Sequence, residues 1–185
     1  MNQEIESSHK GYTDRSAYWE DWLKDKSVQD VIRQLELFES QAERDNLTGL
    51  YNRRGFLHFV EDGGKNRIKH IGYVDIDAFK QINDNYGHLA GDLVLKYVAK
   101  SLKEAVGEYG VVARWGGDEF VMGLTTEDPE VIAKIYKNCW DLVDRKHVSV
   151  TIGTRIWNGE EDLEMVLDRA DTNMYQKRET RRNEY

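Results

Sequence analysis

Arg114-Trp115-Gly116-Gly117-Asp118-Glu119-Phe120 is the most informative stretch of the sequence, because two glycines and two adjacent carboxylates stand between runs typical of strands. Mostly apolar residues fill 111–113 and 120–124, so the pattern predicts a tight β-hairpin that carries acid at its tip. Little side-chain bulk lies beside these carboxylates, so a large polyanion can approach the backbone and be reached through a divalent metal. An ordinary solvated hairpin explains this stretch alone equally well. Other motifs must decide between a metal-binding hairpin and an ordinary one.

A second acidic segment, residues 73–80, is typical of an apolar strand that ends in acids. With period-two alternation, Asp75 and Asp77 share one face of the strand and Ile76 faces the other. Only one of the two acids need face a metal. If this strand lies beside the hairpin, Asp75 and Asp118 converge on divalent cations that keep part of their shell for phosphate oxygens. The pattern therefore outlines a two-metal site for phosphoryl transfer.

Two polar residues downstream have simpler explanations when each is taken alone. Asp92 fits the N-cap of a helix ahead of Leu93, and Asn83 fits a turn. Their occurrence beside the acidic segments favours a common site instead.

The order of these motifs resembles that of the GGDEF family of diguanylate cyclases. The matching segments are 45–54, 75–92, 116–120, 150–153, 170–175 and 182–183. The resemblance implies an α/β (α+β, palm-like) domain, with a central sheet containing antiparallel strands and flanked by helices. It also implies an enzyme that joins two GTP molecules into cyclic di-GMP and releases pyrophosphate. The alternatives are a GTP-binding scaffold module with little or no synthesis, and a cyclic dinucleotide synthase of relaxed base choice.

The resemblance implies a metal site for Mg²⁺, with Mn²⁺ as an alternative ion. Asp75 and Asp118 would hold the ions with help from the Ile76 carbonyl. Glu119 would act on the second metal or deprotonate the attacking ribose 3′-hydroxyl. Which of Asp118 and Glu119 is the base is left open.

The resemblance also implies a set of substrate-binding residues around the hairpin. Backbone amides near Ala78, where the strand turns into a helix, would cradle the phosphates, and Lys80 would add a positive charge. The substrate-binding residues are Phe79, Lys80, Asn83, His88, Asp92, Gly116, Gly117, Arg178 and Arg182. His88 would touch the nucleotide or pack under the loop.

Guanine selection follows from the hydrogen-bonding chemistry of Asp92 and Asn83. A carboxylate accepts from both N1–H and the 2-amino group of guanine, and an amide donates and accepts beside it. Adenine lacks both donors, and sites built on such groups reject the wrong partner by roughly 10⁴. Similar proteins that make mixed cyclic GMP-AMP carry serine at the position of Asp92, so the sequence favours a diguanylate product.

The last helix of the chain turns from apolar to basic along one stripe. The apolar members at helical spacing are Leu163, Val166, Leu167, Ala170 and Met174. Arg178 and Arg182 continue the stripe and are predicted to clamp the triphosphate tail. The family usually has lysine at the position of Arg178 and glycine at that of Arg181. Lys177 and Arg181 are explained by the helix dipole.

An inhibitory product site common in the family is predicted to be absent. Many similar proteins carry an Arg-x-x-Asp motif just before the signature, whereas this chain has Gly107 and Gly110 at those positions. Feedback inhibition through that site is therefore expected to be lost.

Composition places limits on the partners of the protein. The chain has 185 residues, 39% of them hydrophobic, and a net charge of −8, which argues against broad binding to nucleic acids or anionic membranes. No apolar run has membrane-spanning length and no signal peptide is visible, so a cytoplasmic location is expected. Cys139 stands on an amphipathic pattern that predicts a buried, reduced thiol.

The N-terminal part differs in character from the rest. Residues 1–17 are predicted to be a flexible N-terminus, 18–44 a helical stalk without Gly or Pro, and 45–185 the catalytic domain. A heptad seam is formed by Val28, Val31, Leu35, Phe38 and Ala42. The stalk either supports a homodimer, in which two GTP molecules meet head to tail, or packs on its own domain.

Overall fold

The computed structural model describes residues 24, 26–64, 67–144 and 147–183, without the side chains of 39–41, 142 and 181–183. The chain divides after Ala42 into two compact units. The first contributes one described helix, α1 (Val28–Ala42). Ser27 caps it, because its Oγ accepts from the Asp30 N–H at 3.2 Å while Asp30 Oδ2 accepts from the Ser27 N–H at 3.0 Å.

Within the described part of the predicted helix over 18–44, residues 26–27 and 43–44 are not helical, so a continuous helix is wrong there. Lys26 and Ser27 precede the helix because Ser27 is its cap, and Glu43 and Arg44 follow it. The Glu43 carbonyl instead accepts from the Asn52 N–H at 2.8 Å, within the second unit. Residues 18–23 and 25, and the predicted flexible segment 1–17, lie outside the described residues.

The second unit is a five-stranded mixed sheet in the order β1-β3-β4-β2-β5. Its strands are β1 (Tyr51–Asn52), β2 (His70–Ile76), β3 (Gly110–Gly116), β4 (Glu119–Leu124) and β5 (Val150–Ile156). Strand β1 is parallel to β3, and the other neighbours are antiparallel. The helices are α2 (Arg53–Glu61), α3 (Phe79–Tyr86), α4 (His88–Val106), α5 (Pro129–Asp144) and α6 (Leu163–Asn183).

Helices cover both faces of the sheet, which confirms the predicted fold class. Alternate side chains of β2 and β4 enter two separate cores. Val74 and Phe120 pack with α4 and α5, whereas Tyr73 and Val121 pack with α2 and α6. Cys139 is fully buried in the first core, as predicted. None of the helices in the described ranges combines the length and apolarity needed to cross a bilayer.

Helix α6 lies directly against β5, and this contact sets the position of its basic end. The predicted apolar stripe is confirmed, since Val166, Leu167, Ala170 and Met174 are buried. A Cβ at Gly153 would lie 2.0 Å from the Ala170 carbonyl oxygen and 2.4 Å from the Met174 nitrogen. Only glycine permits this approach, which explains its place in the 150–153 motif.

Candidate active site

The β3–β4 hairpin and strand β2 bring the three predicted acids together. Asp75 lies directly opposite Glu119 in the antiparallel pairing of β2 with β4. The Ile76 N–H donates to the backbone carbonyl of Asp118 at 3.3 Å. The predicted hairpin and its neighbouring strand are thus confirmed, and Asp75, Asp118 and Glu119 meet at one end of the sheet.

The carboxylate of Asp75 is held between burial and an ion pair. Asp75 is 8% exposed, and Arg178 Nη1 donates to its Oδ1 at 2.7 Å. Burial raises the pKa of Asp75 to about 6. The positive charge of Arg178 acts to lower this pKa, and the negative charge of nearby Asp118 acts to raise it further. A cation at this point would favour the ionised carboxylate.

Asp77 has a different partner from Asp75. Its Oδ1 accepts from Thr151 Oγ1 at 2.7 Å, and its N–H donates to the Ser149 carbonyl at 3.0 Å. Both bonds tie the end of β2 to β5. The structure therefore gives Asp77 a role in closing the sheet, and leaves Asp75 to face the hairpin.

Tyr73 and Asp171 flank Glu119, and sequence reasoning missed both. The Tyr73 side chain, on the same face as Asp75, is 6% exposed and hydrogen-bonds Glu119. Burial and the charge of Asp171 raise the pKa of Glu119, whereas the Tyr73 hydrogen bond lowers it. Burial also raises the pKa of Tyr73, so its hydroxyl stays protonated and donates. Tyr73 could have been found from the sequence, because period-two alternation places it on the same face of the strand as Asp75.

Arg114 braces the hairpin, and this role was also missed. Its Nε and Nη2 donate to the Gly117 carbonyl at 3.0 and 2.7 Å, and its Nη1 lies 3.2 Å from both carboxylate oxygens of Asp45. Asp45 also accepts from Thr48 N–H and Oγ1 at 2.8 and 2.6 Å. Burial acts to raise the pKa of Asp45, but the Thr48 hydrogen bonds and the Arg114 charge outweigh it and hold the pKa below its usual value. The 45–54 motif thus fixes the acidic turn from outside.

The predicted phosphate loop lies between β2 and α3. Ala78 has φ 56°, in the left-handed region that non-glycine residues rarely adopt, and it offers no side-chain cap to α3. Helix α3 starts at Phe79, whose side chain packs on the core, while Lys80 is exposed. The first amides of α3 therefore lack a side-chain acceptor from the N-cap, next to the acidic end of β2.

Asn83 and Asp92 lie on neighbouring helices that meet at Gly91. A Cβ at Gly91 would lie 2.0 Å from Asn83 Oδ1, so Asn83 reaches the residue beside Asp92. The simpler explanations for both are wrong, because Asn83 is inside α3 and Asp92 is inside α4, which begins at His88. His88 is exposed, so packing under the loop is wrong as well.

The remaining predicted positions divide between described and undescribed side chains. Arg178 reaches Asp75, whereas the side chains of Arg181 and Arg182 lie outside the described residues. Lys177 Nζ donates to the Ile152 carbonyl at 3.0 Å, a contact that the explanation by the helix dipole did not include.

A Cβ at Gly110 would lie 2.1 Å from the Gly123 carbonyl oxygen, which leaves no room there for an aspartate of an inhibitory motif.

The donor set fits a hard divalent cation by its chemistry. Asp75, Asp118 and Glu119 supply oxygen donors, which Mg²⁺ and Mn²⁺ prefer, and a cation would relieve their mutual repulsion. In the described part of the chain, no group of three or more His, Cys, Asp or Glu side chains is gathered closely enough to hold a metal as it stands.

Comparison with protein families matches this architecture to one family. The family model described as diguanylate cyclase, GGDEF domain, matches residues 42–184. The chain therefore belongs to the GGDEF-domain family of diguanylate cyclases.

Two curated relatives illustrate the similarity. Diguanylate cyclase DgcM of Escherichia coli K12 is 32% identical over 173 residues, which cover 84% of this chain and 42% of DgcM. Diguanylate cyclase DgcZ of the same organism is 32% identical over 160 residues, which cover 80% of this chain and 54% of DgcZ. The chain thus spans about half the length of these relatives.

Solved structures show the same fold. The coiled coil and GGDEF domain of DgcB from Caulobacter crescentus, in complex with c-di-GMP, is 26% identical, with a TM-score of 0.70 and coverage of 94% of this chain and 95% of that one. A microbial GGDEF domain solved with bis-(3,5)-cyclic di-GMP is 32% identical, with a TM-score of 0.65 and coverage of 75% of this chain and 94% of that one.

Proposed function

We propose that this protein is a diguanylate cyclase that condenses two GTP molecules into cyclic di-GMP and releases two pyrophosphates. The observation that carries the proposal is the meeting of Asp75, Asp118 and Glu119, which the Asp75–Glu119 register and the Ile76 N–H bond to the Asp118 carbonyl hold in place. Sequence similarity to DgcM and DgcZ supports the same activity.

The proposed chemistry is attack of a ribose 3′-oxygen on the α-phosphorus of the other GTP, with loss of pyrophosphate. When bound, Mg²⁺ or Mn²⁺ neutralises the phosphates and polarises the α-phosphoryl oxygens. Asp75 and Asp118, with the Ile76 carbonyl, would hold the ions. Glu119 would assist the ion or take the 3′-hydroxyl proton, with Tyr73 fixing its carboxylate.

Phosphate binding in this proposal uses groups at the ends of two helices. The first amide N–H groups of α3, beside the left-handed Ala78, would donate hydrogen bonds to the phosphate oxygens, and Lys80 would add its positive charge. Arg178 would exchange its bond to Asp75 for the triphosphate, because both offer oxygen acceptors to the same guanidinium. The Arg182 role stays a prediction from the sequence.

Guanine recognition is proposed for Asn83 and Asp92, and the close approach of Asn83 to Gly91, the neighbour of Asp92 in α4, supports it. The carboxylate of Asp92 would accept hydrogen bonds from N1–H and the 2-amino group of guanine, which adenine lacks. His88, exposed at the start of α4, would lie at the rim of this pocket.

Catalysis is proposed to need a homodimer, because each site would hold one GTP and the two must meet head to tail. The similarity to the coiled coil and GGDEF domain of DgcB supports a helical dimer segment. A cytoplasmic location, where GTP and Mg²⁺ are available, belongs to the same proposal.

The test is incubation of the purified chain with GTP and Mg²⁺, followed by chromatography for the cyclic dinucleotide and a pyrophosphate assay. Cyclic di-GMP and pyrophosphate are expected, and Asp118→Ala is expected to lose product by on the order of 10³-fold while keeping its melting temperature. GTP binding without product would favour the scaffold alternative. Incorporation of ATP beside GTP would favour relaxed base choice.

A further inference from the structure

A second cavity lies at the other end of β2 from the acidic site. It has a volume of about 570 Å³ and is lined by residues of β2, β5, α5 and α6 and by the segment after β4. Volumes of this order are typical of small-molecule sites. Among its described lining residues, none belongs to the acidic site.

Aromatic side chains form part of the cavity wall. Tyr136 and Trp140 contribute from α5, and Trp157 contributes from the end of β5. At the mouth, Trp140 exposes 39% and Ile156 exposes 75% of its surface. Large apolar side chains left open beside a cavity indicate that its occupant is apolar and flat enough to cover them.

One polar group reaches the cavity from the core. His70 is 9% exposed, and its Nδ1 is 2.8 Å from the Tyr136 hydroxyl. His70 is also among the residues that line the cavity, so its imidazole is a polar group in an otherwise apolar part of the wall. Burial lowers the pKa of His70, which favours the neutral ring.

The rim of the cavity is positively charged within an acidic protein. Lys69 and Lys177 line it against one carboxylate, Glu127, whereas the whole chain carries a net charge of −8. Lys69 Nζ lies 3.4 Å from Glu127 Oε1, whose side chain is 75% exposed. Such an exposed pair exchanges partners readily, so an incoming anion can take the place of Glu127.

We infer that this cavity binds a small aromatic carboxylate, with its ring against the exposed Trp140 and its carboxylate at Lys69, beside His70. A peptide strand added along β5 fits less well. The Thr154 N–H on the open edge already donates to Asn173 Oδ1 at 3.1 Å, and the Ile152 carbonyl already accepts from Lys177 at 3.0 Å. The inference does not depend on the proposed cyclase activity.

The experiment titrates the full-length, ¹⁵N-labelled chain with 2-naphthoate and, in parallel, with the uncharged 2-naphthamide. The tryptophan indole N–H signals report the site. Saturable shifts of the Trp140 and Trp157 signals are expected, with a dissociation constant for 2-naphthoate of about 1 mM or lower. The amide is expected to bind at the same place about tenfold more weakly, because it lacks the charge that Lys69 recognises.

Three variants locate the binding within the cavity. Lys69→Gln should weaken 2-naphthoate about tenfold and leave 2-naphthamide unchanged, whereas Lys134→Gln, exposed on α5, should change neither. Ala133→Trp should fill the mouth and weaken both probes at least about tenfold, with its circular dichroism unchanged. The inference is overturned if neither probe shifts the Trp140 signal, or if 2-naphthoate binds Lys69→Gln and Ala133→Trp as tightly as the natural chain.

Discussion

At the scale of single residues, two aspartates have opposite environments. Asp75 is enclosed by β2, β4 and α6, where burial outweighs its bond to Arg178 and raises its pKa to about 6. Asp45 accepts from Thr48 and Arg114, which together hold its pKa below the usual value despite burial. One carboxylate is thus poised for a cation, and the other is already satisfied by the protein.

These environments predict opposite pH dependence of stability. The folded pKa of Asp75 lies above the unfolded one, so its contribution is complete below about pH 4 and is lost as the pH rises towards 6. Without divalent metal, the natural chain should therefore lose stability relative to Asp75→Asn over that window. Relative to Asp45→Asn, it should instead lose stability as the pH falls below about 4. Urea unfolding from pH 3 to 7 measures both, and a flat difference for Asp75→Asn would contradict its assigned environment.

The hydroxyl of Tyr73 gives a test of how Glu119 is held. Tyr73→Phe removes one donor from the Glu119 carboxylate and keeps the buried ring. We expect kcat to fall about tenfold with the KM for GTP unchanged, and the free energy of unfolding to fall by about 1 kcal/mol or less. Tyr109→Phe, at the opposite end of β3, should leave kcat unchanged. Equal kcat in Tyr73→Phe and the natural chain would remove Tyr73 from the site.

The proposed guanine recognition assigns base selectivity to Asp92. Asp92→Ser removes the carboxylate that would stand unpaired against adenine, so the preference for GTP over ATP should fall by about 10²-fold or more. The measurement is the ratio of kcat/KM for the two nucleotides, with products separated by chromatography. Asp84→Ser, exposed on α3, serves as the control for loss of an acid nearby. An unchanged ratio in Asp92→Ser would place base recognition elsewhere.

At the scale of helices and strands, periodicity predicted the central elements and missed the contacts between them. Alternation of apolar residues was enough for β2, β4 and the stripe of α6, since burial of one face decides each. The role of Arg114 was missed because Asp45 is 69 residues away in sequence and neither residue belongs to a periodic pattern. The non-helical residues 26–27 before α1 were missed because Ser27 and Asp30 form a cap that helix propensity does not register.

The contact of α6 with β5 predicts one stability effect. Gly153→Ala places a Cβ against backbone atoms of Ala170 and Met174, which cannot move without shifting the helix. The free energy of unfolding should fall by about 2 kcal/mol or more, and activity should fall with it because Arg178 moves. Gly117→Ala has no atom within 4 Å of the added Cβ, so it should be nearly neutral in stability. Urea unfolding of both variants would falsify this packing if their losses were equal.

At the scale of the whole molecule, helix α1 presents an exposed apolar seam. Val28, Leu35 and Phe38 of the predicted seam expose 75%, 57% and 57% of their surface. Glu43 and Arg44 belong to the second unit, where Glu43 bonds Asn52 and Arg44 stacks 3.8 Å over the Tyr51 ring. A truncation that tests the helix should therefore end at Ala42, because one ending at Arg44 would also damage the loop that braces the hairpin.

The heptad seam predicts that activity depends on dimer population. Phe38→Glu in the full-length chain replaces a seam side chain, whose burial between copies is worth about 1.5–3 kcal/mol, with a charge. Specific activity should then fall steeply on dilution, while GTP binding per chain stays unchanged because each copy binds its own nucleotide. Leu37→Glu adds the same charge off the seam, at a leucine 48% exposed, and should behave like the natural chain. Activity assays across protein concentrations, paired with sedimentation, measure both. If Phe38→Glu kept full specific activity at every concentration, the helix would not be the dimerisation element.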